Sequence, residues 1–462
     1  MNVLLVVYDN DSYIHCFPQG LAYIAAVLLK NGHDVEIYNQ DMHHYTEEHL
    51  TKKLNKETFD VVGVSVIGGY YQYQKLLKIS AAINNSKNRP FFIIGGHGPS
   101  PEPEFFLKKT NADVVVVGEG ELTIIELLKR VVGKKSLSGI KGIAFRSGDK
   151  VYINERRQLI KNIDSIPFPA YHLFPINYYR LYRSPHVANN DFVMSVLSGR
   201  GCTFKCNFCY RMDEGFRPRS NESIIDEIRL LKRDFGITYI SFSDELLMSS
   251  AERTINLCEA FLKAKLNIRW ECQGRLNYAK AEVLKIMKEA GCVFISYGIE
   301  CMDDLVLKNM RKGLTTELIV KGIEATLELG ISPGFNIIFG NIGENREALK
   351  RGVEFLLKYD DCAQLRTIRP VTPYPGSPIY YYAIKKGLLK DCQDFYENKH
   401  INSDLLAVNF TDLTNDDFHM ALLEANTRLA ENYFRKRLSM MREQINNLYI
   451  KKDYRFRGFR QS

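Results

Sequence analysis

The sequence predicts an α/β chain: a doubly wound parallel sheet, then a partial (β/α)6 barrel, then a mainly helical end. Three observations predict it. Short apolar runs alternate with helix-like stretches up to about residue 130; the alternation breaks up across 131–187; and it resumes with six more strand-like runs before giving way to helix after 385. At 462 residues the chain is too long for one ordinary core, so a modular protein is expected.

The first five runs, at 2–7, 34–38, 60–66, 90–95 and 113–117, are apolar and, except for 34–38, rich in Val, Ile, Leu and Phe. That is how strands covered on both faces read, and a Rossmann-like domain over 1–130 follows. Ligands of such sheets bind at the carboxyl ends of the strands. There the small and polar residues collect, in 8–20, 65–71, 95–100 and 118–121. Neither a Gly-x-x-x-x-Gly-Lys loop nor a Gly-x-Gly-x-x-Gly after the first strand is present, so a nucleotide site is not expected in this half.

Residues 131–187, rich in Gly, Pro and aromatic residues, read as an ordered connector. Over 188–385, strand-like runs at 192–197, 238–242, 268–272, 293–297, 334–339 and 364–369 alternate with long helical segments, the pattern of a partial TIM-type barrel. Residues 386–462 read as helical, with 418–449 the longest amphipathic stretch.

Composition narrows the class. With 45% hydrophobic and 25% charged residues and no apolar run of bilayer length, an integral membrane protein is not expected. Part of the net charge of +8 lies in Lys451, Lys452, Arg455, Arg457 and Arg460, interleaved with Tyr454, Phe456 and Phe459. A solvated basic terminus is the ordinary reading, and no nucleic-acid partner is expected. Ten cysteines without a secretory leader point to the reducing cytoplasm. Seven are scattered among apolar neighbours as small hydrophobes.

The other three form Cys202-Thr-Phe-Lys-Cys206-Asn-Phe-Cys209. Three thiolates in one loop can wrap an iron-sulfur cluster and leave one iron of a cubane for an exogenous ligand. A zinc site is the alternative, but structural zinc takes four ligands and no fourth follows nearby.

This triplet after a first barrel strand, with Phe208 before the last cysteine, resembles the radical S-adenosylmethionine (SAM) superfamily. The resemblance implies a 4Fe-4S cluster on Cys202, Cys206 and Cys209 that cleaves SAM to a 5'-deoxyadenosyl radical. It assigns Phe208, Asp244, Arg275 and Glu300 to SAM, the last three closing the second, third and fourth strands. Gly340-Asn-Ile-Gly-Glu344 is similar to the family's Gly-x-Pro-Gly-Glu turn, with Ile342 in place of proline. Residues 1–130 are similar to the cobalamin-binding domain that precedes many of these enzymes, through 18–26, 31–34, 63–65, 95–97 and 118–121 taken in order. The likeness implies cobalamin held by Gly68, Gly69, Tyr70, Tyr71, Gly95, Gly96, Gly118 and Glu119. The cobalt-ligating Asp-x-His-x-x-Gly motif is absent.

The tandem implies cobalamin-dependent methylation of an unactivated carbon in a small molecule, fed by an electron donor such as flavodoxin or ferredoxin. A cyclase, dehydratase or other rearrangement enzyme with a non-methylating cobalamin domain is the alternative. A methylthiotransferase is not expected, since the first domain carries only Cys16 and those enzymes carry a second cysteine cluster there.

Overall fold

The computed structural model describes residues 1–11, 15–212 and 214–453. The first sheet is built from β1 (Asn2–Val7), β2 (Asp34–Asn39), β3 (Val61–Ser65), β4 (Phe91–Gly95), β5 (Val114–Val116), β6 (Ile143–Ser147) and β7 (Lys150–Ile153), in the order β2-β1-β3-β4-β5-β6-β7. The first five strands are parallel, as their apolar runs require. The hairpin β6–β7 pairs antiparallel onto β5, so part of the 131–187 segment completes this sheet.

The second sheet orders β15-β14-β13-β12-β11-β8, all parallel: β8 (Val193–Val196), β11 (Tyr239–Phe242), β12 (Arg269–Gly274), β13 (Cys292–Glu300), β14 (Ser332–Phe339) and β15 (Arg369–Pro370). Between β8 and β11 lies a two-stranded ribbon, β9 (Gly199–Cys202) against β10 (Gly215–Pro218). The sixth strand is shorter and later than the 364–369 run suggested. The side-chain amide of Asn426 takes both the N–H and the C=O of Ile368, at 2.8 and 3.0 Å, and so withholds them from β14.

Two apolar cores join the parts. One packs one face of the first sheet, the connector and the barrel together; Phe17 sits among Tyr171, Phe174 and Tyr179 at ring separations of 5.2–5.6 Å. The other covers the opposite face with residues from the far end of the chain, including Tyr380, Phe395 and Tyr396, the last stacked 4.8 Å from Tyr73. The chain thus returns to clamp the first domain, and the carboxyl edges of the two sheets face one another across a shared cavity. The C-terminal helix, Asn415–Tyr449, buries Phe418 on Phe339 at 4.7 Å. Among the described residues no helix is long and apolar enough to cross a membrane. The basic residues of the tail from 454 onward lie outside the described residues.

Candidate active site

The cysteine loop leaves β9 at Cys202 and is pinned at its centre. Asn207 exchanges side-chain amide bonds with Asn341, 3.0 Å each way; its N–H donates to the Met310 carbonyl at 2.9 Å and its carbonyl accepts from Ile379 at 2.9 Å. These bonds hold Cys206, which is buried, between the half-buried Cys202 and the exposed Cys209. Burial raises the Cys202 thiol above its ordinary value, so a thiolate there calls for a cation in place of the proton. Among the described residues no three His, Cys, Asp or Glu side chains converge on a single ion position. A cubane places each thiolate on a different iron, whereas zinc draws all of its ligands onto one point. Three thiolates carried by one loop suit that cluster.

Asn341 belongs to the Gly-Asn-Ile-Gly-Glu turn. Gly340 takes φ +98°, and a Cβ there would stand 2.6 Å from the Phe418 ring. The Ile342 N–H donates to the Asn341 side chain at 2.8 Å, a bond that proline could not make. Glu344 closes the turn, accepting from the N–H groups of Gly340 (2.8 Å) and Asn341 (3.0 Å) and from the Cys301 thiol (3.2 Å).

Burial pushes the Glu344 carboxyl from 4.5 up to about 7 against the pull of those donors. Between these values the unfolded chain binds fewer protons at this group than the folded one, so its contribution to stability falls as pH rises through the window. The drop is about 3 kcal/mol. Glu344→Gln is expected to flatten that part of the pH dependence, read as thermal unfolding midpoints across the window.

Of the four residues assigned to SAM, three gather around Lys312. A bulge between Gly298 and Glu300, with Glu300 at φ +68°, turns its carboxylate onto the Lys312 ammonium at 2.8 Å. The same ammonium lies 5.7 Å from the centre of the Phe208 ring. Arg275 donates to the Lys312 carbonyl and stacks on Phe204, its guanidinium carbon 3.4 Å from the ring centre. Lys312 and Phe204, which the sequence did not single out, thus link the cysteine loop to the third and fourth strands.

Asp244 stands apart. It is wholly buried on the N–H (2.6 Å) and hydroxyl of Ser198, and burial pushes it up to about 6. That arrangement ties both of its oxygens to Ser198 in the turn after β8. Its neighbours Ser243 and Glu245 face the interdomain cavity instead, Glu245 accepting from the Gly201 N–H at 3.1 Å.

This cavity has a volume of about 580 Å³. Its inner part is an apolar slot between the first sheet and the helices Gln19–Lys30 and Glu121–Val132, walled by Leu5, Ile24, Ile93 and Ile124. Its outer part opens between Gly95, Gly96 and Gly118 on one side and Ser195, Ser241 and Gln273 of the barrel on the other. Two glycines keep the slot open: a Cβ at Gly63 would meet Leu5 at 2.8 Å and one at Gly120 would meet Ile24 at 2.9 Å. Such a slot, edged by bare backbone, fits a large flat cofactor with an aromatic appendage.

The domains are locked around it. Gln19 accepts from the Ser243 hydroxyl at 2.7 Å, and Arg200 pairs with Glu119 (2.8 Å) and Glu121 (2.5 Å). Glu119 also takes Arg217 at 3.0 Å and the Ile160 N–H at 2.8 Å, so its carboxylate holds the interface while its residue lines the cavity. The loop 68–71 adds no residue to the lining of this cavity. Gly68 lies beside Tyr374, Gly69 precedes the helix Tyr70–Asn84 at φ +151°, and the Tyr71 hydroxyl donates to the Asp9 carbonyl at 2.9 Å; none of the four lines the cavity.

Residues 196–356 match the model of the radical SAM superfamily and residues 6–128 that of the B12 binding domain. An uncharacterized methyltransferase of Pyrococcus horikoshii is 31% identical over 401 residues, 84% of each chain. The chain belongs to the radical SAM superfamily, in the group with an N-terminal cobalamin-binding domain. This radical SAM enzyme works with a 4Fe-4S cluster, SAM and cobalamin. It is also 26% identical to an anaerobic magnesium-protoporphyrin IX monomethyl ester cyclase of Cereibacter sphaeroides, over 79% of this chain and 60% of the cyclase. A radical SAM methyltransferase from Kitasatospora setae, solved with cobalamin and a 4Fe-4S cluster, superposes with a TM-score of 0.73 at 17% identity, covering 93% of this chain and 89% of that one. The shared fold places the radical SAM enzyme's two domains in one architecture with that structure.

Proposed function

We propose that the enzyme methylates an unactivated carbon of a small-molecule substrate held between the cysteine loop and the first domain. The observation that carries this reading is the single cavity that has the glycine-edged slot at one end and the open barrel at the other. When bound, the cluster and SAM supply a 5'-deoxyadenosyl radical that removes hydrogen, and cobalamin supplies the methyl group.

Cys202, Cys206 and Cys209 would hold the cluster. Phe208, Arg275 and Glu300, organised by Lys312, would bound the SAM side of the site, with Glu245 and Ser243 taking the place first given to Asp244. Gly95, Gly96 and Gly118 would let backbone approach the corrin, and the slot opened by Gly63 and Gly120 would take its aromatic tail. Ser195, Ser241 and Gln273 offer hydroxyl and amide groups to orient a polar part of the substrate. The Gln19–Ser243 and Glu119–Arg200 contacts close the joint against water.

The test is product accounting. Reconstituted enzyme loaded with hydroxocobalamin, given SAM and a flavodoxin or chemical reductant, is expected to release both S-adenosylhomocysteine and 5'-deoxyadenosine. Release of 5'-deoxyadenosine alone, with cobalamin bound, overturns methylation and favours the cyclase-type reading that the similarity to the Cereibacter enzyme supports.

A further inference from the structure

We infer that the distal half of the C-terminal helix docks the enzyme onto an anionic membrane surface. The proximal half of Asn415–Tyr449 is ordinary core, burying Phe418, Ala421, Leu422, Ala425 and Leu429. Among the described residues, the last side-chain hydrogen bonds from this helix to the barrel region come from Asn432 and Lys436, which reach Asp360 at 3.1 Å and 3.0 Å. Beyond them the helix runs on for another ~20 Å at 1.5 Å per residue.

That projecting part carries a largely exposed apolar face. Phe434, Leu438, Met441 and Ile445 are 62%, 49%, 49% and 37% exposed. Their spacing of four, three and four residues aligns them on one face at 3.6 residues per turn, with Tyr449 at its end. The charges are ordered around that face. Arg435 and Arg442 fall on one side and Arg437 on the other, each roughly 70–90° from the seam, while Glu443 lies on the far side. Residues 434–452 contain six Lys or Arg and one acid. The sequence past the described residues adds Arg455, Arg457 and Arg460.

The seam has heptad spacing, which raises a second copy of the chain as occupant. The flanking positions argue against it, because a paired helix would bring Arg437 against Arg442 or its like with no carboxylate to answer it. Long basic side chains beside an apolar seam suit a lipid interface instead. Their stems lie along the acyl boundary and their heads reach anionic headgroups. Phe, Leu, Met and Ile are side chains that enter that boundary, and they offer nothing to phosphate groups of a nucleic acid.

Vesicle co-sedimentation of the full-length holoenzyme tests this. Binding is expected to phosphatidylcholine vesicles containing phosphatidylglycerol, weakly or not at all to pure phosphatidylcholine, and to weaken as salt rises. The Arg435→Ala/Arg437→Ala/Arg442→Ala protein should partition about a hundredfold less well. Leu438→Trp adds a reporter to a chain whose one tryptophan, Trp270, is fully buried, and its emission should shift to the blue with anionic vesicles only. Leu438→Asp/Ile445→Asp should abolish binding while SAM cleavage in vesicle-free solution is unchanged. Failure to sediment with anionic vesicles overturns the inference. So does a concentration-dependent dimer that Leu438→Asp dissociates, or binding to RNA that survives the loss of the apolar seam.

Discussion

Cys206→Ala protein, purified and reconstituted without oxygen, is expected to show no 4Fe-4S absorbance and to cleave SAM at least about a thousandfold more slowly, roughly 4 kcal/mol of barrier at 1.36 kcal/mol per decade. Cys206 is the buried member of the triplet and follows directly from the strand-borne Cys202, with the braced Asn207 beside it. Two remaining thiolates cannot hold a cubane and leave it one open iron. Cys258, wholly buried in the barrel core, is the control, and Cys258→Ala should keep the cluster. Iron retained in Cys206→Ala but lost in Cys258→Ala reverses the assignment.

The second large effect is expected at Gly120. Its backbone tolerates a side chain, since φ is −88°, and an added Cβ meets only the flexible end of Ile24 at 2.9 Å. Phenylalanine there would fill the slot at a folding cost of about 1–3 kcal/mol. Gly120→Phe protein should hold at least about tenfold less hydroxocobalamin and form little S-adenosylhomocysteine, whereas its cluster and its 5'-deoxyadenosine production persist. Unchanged cobalamin content by absorbance after desalting means that the slot is not the tail site.

Much of this site was legible in the sequence because its signals are local. The cysteine triplet lies within eight residues, and strands buried on both faces announce themselves as unbroken apolar runs. What escaped depends on pairings that no window contains. Asn207 and Asn341 are 134 residues apart, and only the fold shows that one braces the cysteine loop through the other. Lys312 acquires its partner Glu300 through a bulge in β13. Asp244 and Glu245 are adjacent carboxylates in the loop just past β11, and only the fold shows that the first is tied down on Ser198 while the second lines the cavity. The hairpin β6–β7 is short and partly solvated, and its pattern merges with the connector.

Arg200 precedes Cys202 by two residues on β9, and it grips Glu119 and Glu121 on either side of Gly120. The ribbon that starts the cysteine loop is thereby bonded to the mouth of the slot. A loop position that suits one cofactor constrains the strand that presents the ligands of the other. Thermodynamic reciprocity then applies: whatever factor cobalamin adds to the affinity for the cluster, the cluster adds to the affinity for cobalamin.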